Sequence, residues 1–425
     1  MVNLLDEYRW RGMLQDSTEG AEEALGAGPL TAYIGFDPTA TSLHVGNLLV
    51  IMLLVHLQRA GHSPIALVGG GTGLIGDPSG KTEERPLLSK EDAERNIAGI
   101  RGQLAHFLDF EVKSNPARLE NNLDWLGELS ALEFLRDVGK HFSMNALLRK
   151  ETNRRRLEDE ESGMSYTEFS YSLFQAYDFV ALYDRFGCTL QMGGSDQWGN
   201  IVGGIDLLRR MREVRGHGVV SPLITTSSGT KFGKTESGAV WLDPERTSPF
   251  RFYQYWLNAD DSDAKRFLGY FTLMNQAEVQ ELEAATDERP HERAAQKALA
   301  KEVTERVHGA SGLAKAESAT AVLFGGTIEG LGAGEVEEIF QDVPSSEVAK
   351  DRLEGDGIDL VDLLSETSLA QSRGDARRAI EGGGIYVNNE RGDAGRPVRL
   401  DDAVEGRFLV LRKGKKNYHL VRVTR

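Results

Sequence analysis

Two short segments of this sequence carry residues suited to phosphate chemistry. They are the turn His44-Val45-Gly46-Asn47 and the segment Lys231-Phe232-Gly233-Lys234-Thr235. A turn that opens a helix binds phosphate because its unpaired backbone N–H groups and the helix dipole point at the anion. Two lysines three residues apart on a glycine-containing loop can neutralise a leaving pyrophosphate. Together the two segments predict a reaction at the α-phosphate of ATP.

A polar helix face between these segments is a candidate ligand site. Tyr171, Gln175 and Asp178 are spaced i, i+4 and i+7, so their side chains share one face. Three polar tips on an otherwise apolar helix suit a small polar ligand. The alternative is a solvent-exposed polar face.

The stretch 193–200 is a glycine-rich turn between a strand and a helix. Its carboxylate, Asp196, is placed to accept hydrogen bonds from ribose hydroxyls, and Gly193 and Gly194 let the backbone approach the sugar. The alternative is simple capping of the helix by Ser195 or Asp196.

A second glycine-rich stretch, residues 71–76, matches the pattern G-x-G-x-x-G of dinucleotide-binding folds. Pro78 and Gly80 follow it where that fold needs a continuous helix, which argues against a nicotinamide site. We therefore interpret the stretch as a pocket-lining loop that offers Asp77 to a ligand ammonium group.

The elements that must position these residues alternate between strand and helix. A helix over 46–60 and another from about Asp196 separate predicted strands at 31–36, 64–68, 188–192 and 219–225. This alternation predicts a parallel α/β sheet whose ligands bind at the carboxyl ends of the strands. We assign residues 1–245 to this catalytic domain.

The rest of the chain follows a different pattern. Residues 246–324 predict an α-helical domain, and 325–356 predict a glycine-rich, acidic linker. In 357–425, a basic helix over 372–380 precedes predicted strands at 385–388, 407–412 and 418–423. These elements predict a small α+β domain.

Charge is unevenly distributed along the 425 residues. The chain carries a net charge of −16, but residues 371–425 hold 13 Lys and Arg against 7 Asp and Glu, a net +6, so residues 1–370 carry −22. A basic tail on an acidic body indicates a localised polyanion site. The alternative is a solvated basic surface.

The sequence lacks the patterns of a disulfide, a metal site, a serine nucleophile and a membrane or secretion segment. The single cysteine, Cys188, excludes an intrachain disulfide and fits a buried thiol in a strand. The histidines lack metal-ligand spacing, and no G-x-S-x-G motif is present, so we expect neither a metal site nor a serine nucleophile. No secretion signal and no apolar run long enough for a bilayer occur, which favours a cytoplasmic location.

At these residues the chain resembles the bacterial tyrosyl-tRNA synthetases, which are class I aminoacyl-tRNA synthetases. The resemblance extends over nearly the whole length. Its tail is similar to the S-four-type RNA-binding domain, and the matching segments of the body are 33–47, 69–81, 170–178, 193–200 and 231–235.

The resemblance implies a Rossmann-like catalytic domain followed by an α-helical domain and a small α+β RNA-binding domain. It implies that L-tyrosine reacts with ATP, accompanied by Mg²⁺, to give tyrosyl-adenylate and pyrophosphate. The tyrosyl group then passes to the 3′ terminal adenosine of the tyrosine tRNA. A homodimer is also implied, with Leu132 to Leu148 as the candidate interface.

The resemblance also implies roles for individual residues. Tyr33 and Asp178 bind the phenol hydroxyl, while the ammonium and carboxylate groups of tyrosine meet Asp77, Tyr171, Gln175 and Gln197. The adenylate is lined by Gly35, Asp37, Gly194 and Asp196. The phosphates of ATP meet Thr39, His44, Asn47, Lys231, Lys234 and Thr235, with Lys81 and Arg85 on a second loop. Candidate tRNA contacts are Lys150, Arg154, Arg155, Arg156, Arg373, Arg377, Arg378, Lys413, Lys415 and Lys416.

One position departs from the family pattern. The signature turn often ends in histidine, whereas Asn47 stands here and can hydrogen-bond but not carry a positive charge.

Three other functions compete with the one that the resemblance implies. The first is a small-molecule nucleotidyltransferase, which uses a similar turn but needs no long helical part or basic tail. The second is a non-enzymatic RNA-binding protein that acts through the tail, and the third is a tryptophan-specific synthetase.

Overall fold

The computed structural model describes residues 3–77, 89–148, 154, 164–227, 232–235, 238–341, 343–367, 369–414 and 417–424. The chain forms two compact units. The first consists of Met1–Ser248 and Tyr255–Gly309, and the second of Pro249–Gln254 and Ala310–Arg425.

The first unit is built on a six-stranded sheet. Its strands are β1 Asp16–Ser17, β2 Thr31–Phe36, β3 Ser63–Val68, β4 Arg118–Asn121, β5 Cys188–Gly194 and β6 His217–Ser221. Their order is β1-β6-β5-β2-β3-β4, and all neighbours are parallel except β1, which is antiparallel to β6. The predicted parallel α/β sheet is confirmed, with one short antiparallel strand at its edge. A separate two-stranded ribbon consists of β7 Lys234–Thr235 and β8 Gly238–Ala239.

The central strands form because their side chains are apolar on both faces. In β3 every residue from Pro64 to Val68 is buried, as expected for a parallel strand covered by helices on both sides. The predicted strand at 219–225 begins two residues earlier and ends at Ser221, because Pro222 cannot donate to the ladder. Cys188 is fully buried at the start of β5, as predicted.

Sixteen helices of the described chain can be given bounds. Those up to the end of the sheet are α1 Leu4–Trp10, α2 Ala21–Ala27, α3 Leu48–Arg59, α4 Lys90–Leu104, α5 Leu123–Leu126, α6 Ala131–Glu133, α7 Met144–Leu148, α8 Tyr166–Phe186 and α9 Trp198–Arg212. The next four are α10 Pro249–Leu257, α11 Asp261–Phe271, α12 Gln276–Glu288 and α13 Ala294–Val322. The backbone of α13 leaves helical geometry at Gly309, with φ of 70°.

The helices beside the sheet begin and end at clear local signals. Ser165 accepts a hydrogen bond from the backbone of Glu168 in a capping box that opens α8, and Gly187 closes this helix with φ of 63°. Helix α3 follows a short 3₁₀ turn over Val45–Asn47, and nine of its twelve residues are buried. Both helices pass directly beside the predicted ligand residues.

The second unit contains a five-stranded sheet. Its strands are β9 Ser345–Ala349, β10 Ile385–Val387, β11 Glu390–Arg391, β12 Phe408–Lys413 and β13 Asn417–Thr424, in the order β11-β10-β12-β13-β9. Only β9 is parallel to its neighbour, β13. The helices α14 Ala333–Ile339, α15 Leu360–Ser365 and α16 Arg373–Glu381 complete the unit.

Two of these elements fall in the stretch 325–356, which the sequence pattern predicted to be a linker. Helix α14 is opened by Gly332, and its buried residues include Val336 and Ile339. Strand β9 pairs with β13 over five residues. The pattern missed β9 because its sequence is polar and its partner lies far along the chain.

Candidate active site

The carboxyl ends of β2, β3 and β5 open into one cleft of about 710 Å³. It lies within the first unit. Thirteen of the predicted ligand residues line it: Tyr33, Gly35, Asp37, Thr39, His44, Asn47, Asp77, Tyr171, Gln175, Asp178, Gly194, Asp196 and Gln197. The alternative of an exposed polar face on α8 is wrong, since Tyr171 and Asp178 are buried.

Asp178 is fixed by two neighbours that the sequence reasoning missed. Its Oδ1 accepts a hydrogen bond from Trp125 Nε1 at 2.8 Å, and its Oδ2 accepts one from Asn122 Nδ2 at 3.0 Å. Burial raises the pKa of this carboxyl to about 7, while the two hydrogen bonds act in the opposite direction. The carboxyl therefore keeps one orientation and is ready to accept a further hydrogen bond.

Tyr33 is buried beside this carboxyl. Its ring packs edge-on against Phe179 with centroids 5.4 Å apart. Burial, and then the nearby Asp178, raise the pKa of Tyr33 well above its ordinary value. Among the described residues its hydroxyl has no hydrogen-bond partner. A buried, unpaired hydroxyl destabilises the empty protein, so a ligand that supplies a polar partner is favoured.

A chain of hydrogen bonds runs from this pair toward the centre of the cleft. Asn122 Nδ2 also donates to Thr72 Oγ1 at 2.9 Å, and Thr72 Oγ1 donates to Asp37 Oδ1 at 3.2 Å. The hydroxyl of Tyr171 donates to Asp37 Oδ2 at 3.0 Å. The loop carrying Thr72 therefore lines the pocket, as the sequence predicted for 71–76, and Asp37 is held from two sides.

A second chain of polar groups holds Asp77. Gln197 Nε2 donates to Asp77 Oδ2 at 2.8 Å. Gln175 Nε2 donates to Gln197 Oε1 at 3.1 Å, and Asn200 Nδ2 donates to Gln175 Oε1 at 3.0 Å. Asp77 is 9% exposed. Its carboxylate thus faces the cleft in a fixed orientation that suits a small cation such as an ammonium group.

The turn after β5 brings backbone and carboxylate together. A Cβ on Gly194 would lie only 2.6 Å from Asp196 Oδ1, so glycine is required for the carboxylate to fold back over the turn. Burial raises the pKa of Asp196, and the nearby charge of Asp77 adds to this effect.

His44 and Asn47 form a reciprocal cap at the start of α3. The backbone N–H of His44 donates to Asn47 Oδ1 at 3.1 Å, and the backbone N–H of Gly46 donates to His44 Nδ1 at 3.0 Å. Because Nδ1 is an acceptor here, the neutral ring carries its proton on Nε2. A Cβ on Gly46 would come within 2.7 Å of His44 Cε1, so the imidazole can lie over the turn only beside glycine.

The second signature segment lies directly against this turn. The backbone N–H of Val45 donates to Val240 O at 2.9 Å, and that of Val240 donates to Gly233 O at 3.0 Å. Gly233 has φ of 79°, and a Cβ there would lie 2.8 Å from Val45 Cγ2. The two segments, almost two hundred residues apart in sequence, are therefore in contact, as a shared phosphate site requires.

Not every predicted residue can be placed. Lys234 and Thr235 form β7, which pairs with β8, but their side chains lie outside the described part of the structure. The same holds for the whole of Lys81, Arg85, Lys150, Arg155, Arg156, Lys231, Lys415 and Lys416. Arg154 is described and exposed.

The described basic residues of the tail differ in their surroundings. Arg377 and Arg378 on α16 are exposed. Arg373 forms an ion pair with Asp362. Lys413 Nζ lies 3.1 Å from Asp375 Oδ2 and donates to Leu369 O at 2.9 Å, which gives it a structural contact as well.

No group of three or more His, Cys, Asp or Glu side chains is arranged to hold a metal ion in the part of the chain that the structure describes. Over the same residues, none of the helices is both long enough and apolar enough to span a bilayer.

Comparison with known proteins gives consistent results. Residues 26–325 match the family described as tRNA synthetases class I (W and Y), and residues 335–421 match the tyrosine--tRNA ligase SYY-like C-terminal domain. The tyrosine--tRNA ligase of Roseiflexus castenholzii is 55% identical over 424 residues, covering 100% of both chains. That of Bacillus caldotenax is 51% identical over 99% of this chain and 100% of its own.

A solved structure agrees with these sequence matches. A C-terminally truncated mitochondrial tyrosyl-tRNA synthetase from Coccidioides posadasii is 30% identical, with a TM-score of 0.66. The match covers 74% of this chain and 91% of that one.

Proposed function

The chain belongs to the class I tyrosyl-tRNA synthetase family, and from this premise we propose that it is a tyrosine--tRNA ligase. It activates L-tyrosine with ATP and then transfers the tyrosyl group to the 3′ terminal adenosine of the tyrosine tRNA. The observation that carries the proposal is the single cleft lined both by the buried pair Tyr33 and Asp178 and by the turn at His44.

In the first half-reaction the carboxylate of tyrosine attacks the α-phosphorus of ATP. A new P–O bond forms, the bond to the bridging oxygen breaks, and pyrophosphate leaves. In the second, a ribose hydroxyl of the tRNA attacks the tyrosyl carbonyl, and AMP leaves. The substrate supplies each nucleophile, so the protein accelerates the reaction by positioning the groups and stabilising charge on the phosphates.

Tyrosine binds with its phenol between Tyr33 and Asp178. The carboxylate oxygen of Asp178 accepts a hydrogen bond from the phenol. The hydroxyl of Tyr33, which has no partner among the described residues, gains one. Phenylalanine is rejected because it would leave both groups buried without that partner. Asp77, Tyr171 and Gln175 hold the ammonium group, and Gln197 lies near the carboxylate.

ATP binds along the strand ends and the turn at His44. The adenylate is lined by Gly35, Asp37, Gly194 and Asp196, with Asp196 accepting from the ribose hydroxyls. Thr39, His44 and Asn47 meet the phosphates, and His44 donates from Nε2. Further phosphate contacts come from Lys234, Thr235, Lys231, Lys81 and Arg85.

Mg²⁺ accompanies the nucleotide. The described cleft offers scattered carboxylates already bonded to side chains, such as Asp37 and Asp77, rather than a cage of three ligands. That donor set fits an ion that keeps several waters and is held mainly by phosphate oxygens. When bound, Mg²⁺ neutralises charge on the phosphates.

The second unit binds the tRNA. Arg377 and Arg378 are exposed on one helix of this unit and are the clearest phosphate contacts. The remaining basic candidates are Arg373, Lys413, Lys415 and Lys416 in the tail, with Lys150 and Arg154 on the catalytic body. For the domains we propose 1–245 as catalytic, 246–324 as helical and 357–425 as RNA-binding. The stretch 325–356 joins the last two and contributes α14 and β9 to the second unit.

The functional protein is a homodimer. Within the proposed interface, Leu132 is 80% exposed, Leu135 53%, Met144 57% and Leu148 41%. Large apolar side chains concentrated on one short stretch mark a surface that another chain covers. Light scattering should give twice the monomer mass, and Leu132→Glu together with Leu135→Glu should give a monomer. The cytoplasm, where ATP and tRNA meet, is the expected location.

The test is amino-acid-dependent ATP–pyrophosphate exchange without tRNA, run across all twenty amino acids. Exchange with tyrosine alone supports the proposal. Exchange with tryptophan would keep the mechanism but overturn the pocket assignment. Exchange with no amino acid, from folded protein that binds ATP, would favour a small-molecule nucleotidyltransferase or an RNA-binding protein.

A further inference from the structure

Phe232 is buried in a pocket of aromatic side chains, although it lies in a phosphate-binding signature. It is 6% exposed and also lines the cleft. Its ring stacks on Phe271 with centroids 5.7 Å apart and planes 9° from parallel. Three further rings surround it, namely Phe267 at 5.1 Å, Tyr255 at 6.0 Å and Trp256 at 6.0 Å. We call the four residues around Phe232, namely Tyr255, Trp256, Phe267 and Phe271, the aromatic seat.

Three rings of the aromatic seat are buried and pack closely together. Trp256, Phe267 and Phe271 are at most 2% exposed, and they also pack against one another. Aromatic contacts of this kind stabilise a buried ring beyond the burial of its area. The ring of Phe232 therefore fixes the position of the chain at the start of the signature.

The residue after Phe232 is held as well. The backbone N–H of Gly233 donates to the hydroxyl of Tyr255 at 3.1 Å, and its carbonyl accepts from Val240. On its other side, Gly233 lies against Val45 of the phosphate turn. The aromatic seat thus sets the spacing between the segment that carries Lys234 and the turn that carries His44.

A second attachment lies a few residues earlier in the chain. The buried carboxylate of Asp263 accepts hydrogen bonds from the backbone N–H of Ser227 at 3.0 Å and from its hydroxyl at 3.1 Å. Arg266 donates to Asp263 at 2.6 Å and to Thr225 O at 2.5 Å. Asp263, Phe267 and Phe271 all belong to α11. One helix therefore contacts the chain both at Ser227 and at Phe232.

We propose that α11, together with Tyr255, positions the second phosphate signature for adenylate formation, and that Phe232 is the positioning residue through which it acts. Phe232 needs no contact with tyrosine for this. The inference rests on the proposed function, because it assigns a role in that reaction. A misplacement of about 1 Å in a group that contacts a transition state slows a reaction on the order of a hundredfold.

The test compares Phe232→Ala, Phe232→Leu, Tyr255→Phe and Asp263→Asn with the full-length wild type. For each protein we would measure the pre-steady-state rate of adenylate formation, the KM for ATP and the Kd for tyrosine. We expect Phe232→Ala to be slower on the order of a hundredfold. Phe232→Leu, which refills the seat with an apolar group, should recover most of that loss.

The remaining two variants alter polar contacts without leaving a cavity. Tyr255→Phe deletes the hydrogen bond to Gly233, and Asp263→Asn removes one of the two oxygens that accept from Ser227. Each should slow adenylate formation about three- to tenfold, the usual effect of a lost hydrogen bond. Tyr270→Phe is the matched control. Its ring packs on Phe271 in the same helix, but within the described residues its hydroxyl makes no hydrogen bond to the signature, so its rate should be that of wild type.

In every variant the Kd for tyrosine should stay within about twofold of wild type, because no altered group contacts the phenol pocket. Unchanged rates in both Phe232→Ala and Tyr255→Phe would overturn the inference, and so would tyrosine affinity that falls as far as the rate. If Phe232→Ala does not fold, Tyr255→Phe decides. A wild type without tyrosine-dependent exchange would instead contradict the proposed function itself.

Discussion

Asp178 and His44 line the same cleft, but the chain holds them in different ways. Asp178 is 2% exposed, and side chains from two separate positions, Asn122 and Trp125, donate to it. His44 is only partly buried, and its hydrogen bonds with Gly46 and Asn47 lie within its own turn. Backbone contacts from Val240 and Gly233 complete the phosphate side.

Under the proposed function, the difference follows from what each end of the cleft recognises, a phenol at Asp178 and a phosphate at His44. Telling a phenol from a benzene ring requires buried polar groups that are left unpaired by the wrong ligand. A phosphate offers several charged oxygens, which backbone N–H groups and a helix N-terminus recognise without deep burial. We therefore expect substitutions at Asp178 or Tyr33 to change which amino acid binds, and substitutions at His44 to change how fast it reacts.

The largest effect should come from His44→Ala. Loss of a donor to the developing phosphate charge should slow adenylate formation about 10²- to 10³-fold. Stopped-flow measurement of the adenylate and equilibrium dialysis of tyrosine would separate rate from binding. The exposed histidine His291 serves as a control, since His291→Ala should change neither. A loss of tyrosine affinity equal to the loss of rate would break the comparison.

Asp178→Asn should weaken tyrosine binding on the order of a hundredfold and narrow the preference for tyrosine over phenylalanine to a similar extent. Asparagine has only one oxygen, so it cannot accept from Trp125, Asn122 and the phenol together. Asp184→Asn on the exposed part of the same helix is the matched control. Exchange kinetics with both amino acids would check this, and unchanged discrimination would contradict it.

The burial of Asp178 also predicts a pH dependence of stability. Its folded-state pKa of about 7 is above the ordinary value of 3.8, so the fold favours the protonated form. The resulting stabilisation is complete below the unfolded pKa and is lost as pH rises through about 7. Between pH 5 and 8 the loss should be about 2–3 kcal/mol.

Urea unfolding at several pH values would measure that slope in the wild type and in Asp178→Asn. The variant lacks the titrating group, so its stability should fall less over the same range. Identical slopes in both proteins would mean that Asp178 is not the group responsible.

The smallest effect should come from Tyr33→Phe. It should weaken tyrosine binding about three- to tenfold, yet leave the empty protein at least as stable as before, because the deleted hydroxyl is buried and has no hydrogen-bond partner among the described residues. Tyr8 provides a contrast, since its buried hydroxyl donates to Leu53 O at 2.7 Å. Tyr8→Phe should lower the free energy of unfolding by about 1–2 kcal/mol. Equal destabilisation by both would show that the hydroxyl of Tyr33 is already satisfied.

The two ends of the cleft also differ in how far the sequence predicts them. The central strands and the turn at His44 are predicted because long apolar runs and short local motifs are visible in sequence. The partners of Asp178 are missed because Asn122 and Trp125 follow β4, a short polar edge strand without an apolar pattern. The polar pair Asn121 and Asn122, at the end of that strand, was the available signal.

The sequence reasoning also misses the aromatic residues that pack around Phe232, for a related reason. Phe232 belongs by sequence to a phosphate motif, and its aromatic partners lie on α10 and α11, elements that the sequence pattern predicts only as helical. Contacts between distant segments depend on how helices pack, which periodicity alone does not determine. Strand β9 is missed on the same ground, since its pairing partner β13 lies about seventy residues later.

The separation of recognition from phosphate chemistry can be tested most directly by a double-mutant cycle of Tyr33→Phe and His44→Ala. The measured quantity is kcat/KM for tyrosine in adenylate formation, for the wild type, both single variants and the double variant. If the two ends act independently, the free-energy effects should add within about 0.5 kcal/mol. A coupling energy above about 1 kcal/mol would show that the two ends act as one unit and would contradict this account.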